Sequence, residues 1–208
     1  MKKVSQTGLL AALSFCILGL VGCSGGALSP TKSPAIASPT PVAAQQSPTP
    51  VMATPSVGEM SASGQYTDKV AGYTFQAPKD WKAQPDTARQ VGASAIVMGP
   101  NQGPNFKANI NVMVQNAPDL KTYTDNTHKQ LKDLKANVVS EKDLKSGSVE
   151  SHQIVWKAKM RNMDMQFCST YFAKEGKVFL MTGTSLADKY KDVAKSFEAT
   201  GSSFTALP

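Results

Sequence analysis

Residues 24–65 limit how much of this chain can fold. These 42 residues hold seven of the 13 prolines, one lysine and one acidic residue, and they have no aromatic side chain. Such a segment cannot bury enough apolar surface to fold, and its prolines favour extended conformations. The sequence therefore predicts a disordered tether over residues 23–65, and it leaves residues 66–208 to form a single domain.

The first 22 residues have the pattern of a signal peptide. Lys2 and Lys3 give a positive start, and residues 8–22 are apolar or glycine except for Ser14. These 15 residues are fewer than the roughly 20 that a membrane-spanning helix needs. A short positive segment followed by an apolar core of this length is typical of an export signal. We therefore expect residues 1–22 to be removed when the protein is exported.

The apolar run ends in Leu20, Val21, Gly22 and Cys23. These residues resemble a bacterial lipobox, the signal at which a diacylglyceryl group is attached to the cysteine sulfur and cleavage makes the cysteine residue one. The resemblance implies that Cys23 carries a covalent lipid and anchors the protein to a membrane. Two or three acyl chains provide stable anchoring, because each buried CH₂ contributes about 0.8 kcal/mol. The alternatives are an ordinary cleaved signal with a coincidental cysteine, or an uncleaved anchor.

The other cysteines and the charge balance fit an exported protein. Cys16 would leave with the signal and Cys168 would be alone in the mature domain, so we expect no intrachain disulfide. Without Lys2 and Lys3 the chain has 20 basic and 15 acidic residues, a net charge of +5. This charge favours an anionic membrane surface. An exported protein rarely meets nucleic acid, so we expect no nucleic-acid partner.

Six segments of the domain have the pattern of β-strands. They are residues 71–77, 94–98, 108–114, 153–160, 165–173 and 177–184. Glycines and prolines predict a loop at 99–104, and residues 137–139 are expected to be extended. The last three strands are predicted to form a meander with turns at 161–162 and 174–176.

Residues 119–135 have the period of an amphipathic helix. Its apolar side chains fall within an arc of about 80°, and they are Leu120, Tyr123, Thr127, Leu131 and Leu134. A lysine stripe lies outside this arc and consists of Lys121, Lys129, Lys132 and Lys135. Asp125 lies within the stripe and is expected to pair with Lys129, one turn later. The stripe is either a solvated helix face or a docking surface for anionic lipid headgroups or an acidic partner.

Residues 186–199 predict a second helix. Its expected buried side chains are Tyr190, Val193, Ala194 and Phe197. Ser185 and Asp188 have the spacing of a capping box at its start. The order of strands, helix, strands and helix, with hairpin-length links among the late strands, predicts an α+β fold. We expect a mainly antiparallel sheet with flanking amphipathic helices.

Three stretches carry a resemblance to a known fold. They are AGYTFQAPKDW at 71–81, NINVMVQN at 109–116 leading into the first helix, and the meander followed by YKDVAKSFEATGSSF at 190–204. Their pattern and order resemble the PsbP-like fold, and within it the DcrB group of small bacterial lipoproteins. The resemblance implies an accessory or binding protein of a cell envelope or a photosynthetic membrane, and it implies no catalytic residue.

Motifs for catalysis or cofactor binding are absent from the sequence. It has no phosphate loop, no dinucleotide-binding glycine pattern, no His-Glu-x-x-His and no paired cysteines. We therefore predict no catalytic, cofactor-binding or metal-binding residue. His128 lies in the lysine stripe, on the edge away from the apolar arc, and His152 enters a strand, so both are interpreted as surface residues.

Soft sulfur ligands are the one further candidate for a site. Met160, Met163, Met165 and Cys168 lie close together in the sequence, and envelope copper proteins use such ligands. In a strand, however, Met163 and Met165 share a face with Phe167, whereas Cys168 points to the other face. This pattern is typical of a hydrophobic core in which methionine fills gaps.

The sequence thus indicates a location more firmly than an activity. We predict a non-enzymatic, lipid-anchored protein of a bacterial cell envelope, with its domain outside the cytoplasm, that binds or stabilises a membrane-associated partner. The alternatives are a lipoprotein that binds a small ligand in a cleft between sheet and helix, and an enzyme whose site is assembled in space.

Overall fold

The computed structural model describes residues 56–146 and 149–208. The predicted signal peptide, Cys23 and most of the predicted tether lie outside the described residues. The strands are β1 (Glu59–Met60), β2 (Gln65–Asp68), β3 (Tyr73–Gln76), β4 (Lys82–Ala83), β5 (Ala95–Gly103), β6 (Phe106–Asn116), β7 (Asn137–Ser146), β8 (Val149–Met160), β9 (Met163–Lys174), β10 (Lys177–Leu186) and β11 (Thr205–Ala206). The helices are α1 (Pro85–Val91), α2 (Leu120–Asp133) and α3 (Tyr190–Ser202).

The strands form two antiparallel sheets. The large sheet has the order β4-β5-β6-β10-β9-β8-β7, and the small sheet has the order β1-β2-β3-β11. Strand β1 begins at Glu59, so the small sheet starts within the stretch that the sequence assigned to the tether. The two sheets and the helices that flank them confirm the predicted α+β class.

The central strands of the large sheet are buried on both faces. Along β8 to β10, successive apolar side chains alternate between two core clusters, as the period of a strand requires. One cluster lies under α2 and includes Trp156, Phe167 and Leu180. The other lies under α3 and the small sheet and includes Phe172 and Phe179. The domain therefore has three layers, with the large sheet in the middle.

The predicted meander is confirmed, because β9 pairs antiparallel with both β8 and β10. The residues of its two turns suit the backbone conformation that the turns need. Arg161 and Asn162 link β8 to β9 with φ of 47° and 65°, and Glu175 and Gly176 link β9 to β10 with φ of 51° and 74°. Two successive residues at positive φ are typical of the hairpin turns that match strand twist. Asparagine and glycine tolerate this conformation best.

The predicted loop at 99–104 is wrong, because β5 continues to Gly103. The pairs Asn101–Lys107 and Gly103–Phe106 extend the ladder with β6, with register shifts on both sides of Asn101. A β-bulge tolerates a proline that cannot donate to the ladder. Glycine and proline in this stretch therefore mark irregular pairing instead of its end.

The predicted capping box of the last helix is also wrong. Helix α3 begins at Tyr190, and its N-cap residue, Lys189, makes no side-chain cap. Ser185 is still paired in β10, and its hydroxyl donates to Gln102 Oε1 at 3.0 Å. The strand ladder therefore holds Ser185 in an extended conformation, five residues before the helix starts at Tyr190.

Gly183 marks a close approach between α3 and β10. A Cβ at this position would overlap the ring of Phe197, whereas a Cβ at Gly103 would lie 3.8 Å from Leu186 Cδ1. We expect Gly183→Ala to lower the free energy of unfolding by about 1–3 kcal/mol through overpacking. Gly103→Ala, the matched control, should change it by less than about 0.5 kcal/mol. Urea unfolding followed by circular dichroism measures both, and equal stability of the two variants would contradict the close approach.

Candidate functional site

Helix α2 starts at a capped residue and buries one face. The Asp119 carboxylate accepts hydrogen bonds from the backbone N–H of Thr122 at 2.6 Å and from its hydroxyl at 2.9 Å. These two donors hold the pKa of Asp119 below its ordinary value. The side chains of Tyr123, Thr127 and Leu131 are buried. The opposite side of α2 faces solvent.

All four lysines of the stripe are exposed. Helix α2 ends at Asp133, so Lys135 follows the helix, with φ of 54°. Asp125 pairs with Lys121 at 2.7 Å, and not with Lys129 as predicted. Both lysines are four residues from Asp125, and the salt bridge forms with the one that precedes it, Lys121.

Three exposed apolar side chains lie where the chain passes from α2 to β7. They are Leu134, Val138 and Val139. Leu134 was predicted on the buried arc, but it caps the helix, and the turn closes with the N–H of Ala136 on the carbonyl of Leu131. A register shift after Val138 places a bulge at Val139. We define the α2–β7 surface as Lys129, Lys132, Leu134, Lys135, Val138 and Val139.

A second group of polar residues meets beside this surface. His128 Nε2 lies 2.8 Å from Glu141 Oε1, and His152 Nε2 lies 2.6 Å from the same oxygen. One ligand-type atom from each of the three residues falls within 4.8 Å of the other two. We call His128, Glu141 and His152 the histidine cluster.

Three elements bring the histidine cluster together. Asp143 of β7 lies directly opposite His152 of β8, and Glu141 lies two residues earlier on β7. Glu141 and Asp143 share one face of the strand, because side chains alternate with a period of two. That face lies under α2, which supplies His128 from above. The cluster therefore exists only when the β7–β8 hairpin and α2 are packed together.

The cluster is partly shielded from solvent. The side chain of His152 is 13% exposed, that of Glu141 is 35% exposed and that of His128 is 40% exposed. The ring of Tyr171 stacks on His152 with centroids 6.5 Å apart. Partial burial acts to raise the pKa of Glu141, but the hydrogen bonds and charges of the two imidazoles outweigh it and hold the pKa below its ordinary value.

Sequence reasoning did not bring these residues together. His128 is as exposed as predicted, whereas His152 is more covered than predicted. The available signal was the alternation of Glu141 and Asp143 on an extended segment, followed by a histidine in the next strand. Pairing residues 137–146 with 149–160 as a hairpin would have placed His152 beside both carboxylates. The position of α2 above the hairpin has no comparable signal.

The sulfur residues lie as the core interpretation predicts. Met165 is buried with Phe167 in the cluster under α2, and Cys168 is buried in the other core cluster. Burial raises the pKa of the Cys168 thiol to about 11. The thiolate form that binds metals is therefore disfavoured at neutral pH.

An open groove lies on the other side of the domain. It has a volume of about 370 Å³, and its lining includes Ala77, Pro78, Lys79, Lys195 and Thr200. Most of these residues belong to α3 and to the chain after β3. Within residues 56–146 and 149–208, no helix has the length and apolar content to cross a bilayer.

Comparison with known proteins identifies the fold. No family model and no curated protein matches the sequence. The solution structure of cyanobacterial PsbP (CyanoP) from Synechocystis sp. PCC 6803 is similar, with a TM-score of 0.55 and 15% identity over 73% of this chain and 98% of that chain. The chain therefore has a PsbP-like fold, as the sequence resemblance implied. The narrower resemblance to the DcrB group stays a prediction.

Two further structures show weaker similarity. LpqN of Mycobacterium tuberculosis, described as involved in cell envelope biogenesis, has a TM-score of 0.49 and 15% identity over 65% of this chain and 83% of that chain. PA94 of Pseudomonas aeruginosa, a protein of unknown function, has a TM-score of 0.48 and 12% identity over 69% of this chain and 96% of that chain.

Proposed function

We propose that this protein is a lipid-anchored, non-enzymatic component of a bacterial cell envelope that binds a membrane-associated protein. The single observation that carries the binding role is the α2–β7 surface, where exposed apolar side chains lie among lysines. Exposed apolar groups that sit together on a surface mark interaction sites more often than scattered ones do. Lysines around them would attract an acidic partner and guide its approach.

The predicted anchor and the fold are both consistent with this proposal. Lipid on Cys23 would hold the domain at a membrane by two or three acyl chains, and the tether would let it reach a neighbouring complex. The PsbP-like fold implies an accessory or binding role and no shared reaction. Together these features favour an extracytoplasmic binding protein over an enzyme or a receptor for a small ligand.

Site-specific photocrosslinking in cells tests the binding role. We place p-benzoylphenylalanine at Val139, in the α2–β7 surface, and at Val70, an exposed valine next to the small sheet, as the matched control. We expect the probe at position 139 to crosslink to one membrane-associated protein. The probe at position 70 should not crosslink to that protein. The same crosslinked proteins from both positions would contradict binding at this surface. Crosslinks from Val139 to lipid alone would replace the protein partner with the bilayer.

Charge and anchor variants complete the test. Changing Lys129, Lys132 and Lys135 to glutamate should abolish the crosslink from Val139, because it reverses the field at the surface. The same change at Lys189, Lys191 and Lys195, which are exposed at α3 in the other layer, should leave it intact. Cys23→Ser should release the protein from the membrane fraction and lose the crosslink. A Cys23→Ser protein that stays in that fraction would contradict the lipid anchor.

A further inference from the structure

We propose that the histidine cluster binds one first-row divalent cation, with Zn²⁺ as the expected ion. The inference is independent of the proposed partner and of the lipid anchor. It departs from the prediction that the chain has no metal site, which rested on the absence of a sequence motif. Two imidazole nitrogens and one carboxylate oxygen, brought together from α2, β7 and β8, are the donor set of many zinc sites.

The distances fit an ion after a small adjustment. The two contacts to Glu141 Oε1 are 2.8 Å from His128 and 2.6 Å from His152, and the three ligand-type atoms all lie within 4.8 Å of one another. Zinc bonds to nitrogen and carboxylate oxygen are about 2.0–2.2 Å long, so tetrahedral ligands lie about 3.4 Å apart. Each imidazole Nε2 must therefore separate from Glu141 Oε1 by about 0.6–0.8 Å more than at present. The partly exposed side chains of His128 and Glu141 leave room for that movement.

Asp143 orients His152 in the way that metal sites require. Its Oδ1 lies 2.6 Å from His152 Nδ1. A hydrogen on Nδ1 that is donated to Asp143 leaves the lone pair of Nε2 directed towards the cluster. A carboxylate behind a ligating histidine fixes its tautomer and raises its basicity. Asp143 is thus a positioning residue, and it is separate from the three ligands.

The cluster also needs positive charge between its members. His152 lies between the carboxylates of Glu141 and Asp143, and ionised carboxylates only accept hydrogen bonds. An imidazole with a single N–H can donate to only one of these two carboxylates. When Nδ1–H is donated to Asp143, a cation at Nε2 would supply the positive charge that Glu141 Oε1 faces. The arrangement therefore suits a metal ion once the side chains of Glu141 and His152 have moved slightly apart.

The choice of ion follows from the donors and from their exposure. Imidazole nitrogens favour Zn²⁺ and its neighbours, whereas Mg²⁺ and Ca²⁺ prefer ligands that are all oxygen. The partly exposed side chains of His128 and Glu141 give an ion a path from solvent. A water molecule would complete the four-coordinate site. Bound metal would link α2 to the β7–β8 hairpin.

Calorimetric titration of the full chain, purified in detergent and stripped of metal with a chelator, tests this inference. We expect one Zn²⁺ per chain and no heat of binding with Mg²⁺. His128→Gln and Glu141→Gln should each weaken Zn²⁺ binding at least tenfold, and Asp143→Asn should weaken it about tenfold or more. Glu150→Gln, on an exposed residue of β8, should bind as the native protein does.

Two further readouts separate ligation from a structural role. Zn²⁺ should raise the melting temperature of the native protein and of Glu150→Gln, but not that of His128→Gln. The His128→Gln variant should still fold, because the side chain of His128 is partly exposed. Co²⁺ in the native protein should give the visible bands of a nitrogen–oxygen site without thiolate charge transfer. Thiolate bands, an absence of stoichiometric Zn²⁺ binding, or native affinity in both His128→Gln and Glu141→Gln would overturn the proposal.

Discussion

Alanine in place of Trp156 is expected to lower the free energy of unfolding by about 3–5 kcal/mol. The indole is 2% exposed and stacks on Phe167, its cross-strand partner, with ring centroids 3.9 Å apart. Its Nε1–H donates to Ser169 Oγ at 3.1 Å. The substitution removes the ring, leaves a cavity and removes a buried hydrogen bond. Urea unfolding of the full chain, followed by circular dichroism, measures the loss.

Two other variants show whether the loss comes from packing. Trp156→Phe keeps most of the ring contact and should lose much less stability than Trp156→Ala. Lys157→Ala, on the exposed neighbour in β8, should change the free energy of unfolding by less than about 0.5 kcal/mol. A loss below about 1 kcal/mol for Trp156→Ala would contradict a well-packed core. Trp156 belongs to the core cluster on which α2 packs, and α2 supplies His128. Trp156→Ala should therefore also weaken Zn²⁺ binding.

The second large effect is expected at Asp68, a buried carboxylate that joins the two sheets. Its oxygens accept hydrogen bonds from the backbone N–H groups of Val70 at 3.1 Å and Ala71 at 2.8 Å. They also accept one from the Ser94 hydroxyl at 2.6 Å, which in turn accepts one from Tyr73 at 2.8 Å. Ser94 immediately precedes β5, so the network connects the small sheet to the large one.

The hydroxyl groups of Tyr66 and Tyr73 are hydrogen-bond donors in this network. Tyr66 donates to the carbonyl of Ser94 at 2.7 Å. Burial raises the pKa of Tyr66 to about 12 and the pKa of Tyr73 well above its ordinary value. Both phenols therefore remain protonated at neutral pH. A change of pH near neutrality therefore does not remove the hydrogens of these two phenols. A substitution of Asp68, the acceptor of the network, is the direct way to test it.

Asp68→Ala should lower the free energy of unfolding by about 3 kcal/mol, because it leaves several buried donors without an acceptor. Asp68→Asn keeps the shape and one acceptor oxygen, so a smaller loss is expected. Asp164→Ala, on an exposed acid of β9, is the matched control and should be nearly neutral. Denaturant titration compares the three, and a similar small loss for Asp68→Ala and Asp164→Ala would refute the network's role.

Much of the fold could be predicted because local and tertiary preferences agree. The meander has the alternation of buried strands, and Asn162 and Gly176 suit the positive φ of its turns. Prediction failed where pairing overrode local signals. The bulged pairing of β5 with β6 keeps residues 99–103 in the sheet despite Gly99 and Pro100. The ladder likewise holds Ser185 out of the helix that it was expected to cap.

The histidine cluster could not be predicted, for a different physical reason. Glu141 is 13 residues from His128 and 11 residues from His152 along the chain, and these spacings match no motif. Two of them become neighbours through the register of β7 and β8, which a sequence pattern can suggest. The third depends on where α2 sits above the sheet. That position is set by the packing of Tyr123 and Leu131 on the core, and periodicity alone does not determine it.

The edges of the large sheet have a consequence for a protein held at high surface density. One edge is β4, which has two residues, and the other is β7, which carries a bulge and the charged run from Glu141 to Asp143. Short, bulged or charged edges resist pairing with another chain. Copies tethered to the same membrane, as proposed, would crowd in two dimensions. Blunted edges would let them remain separate where an open strand would nucleate fibres.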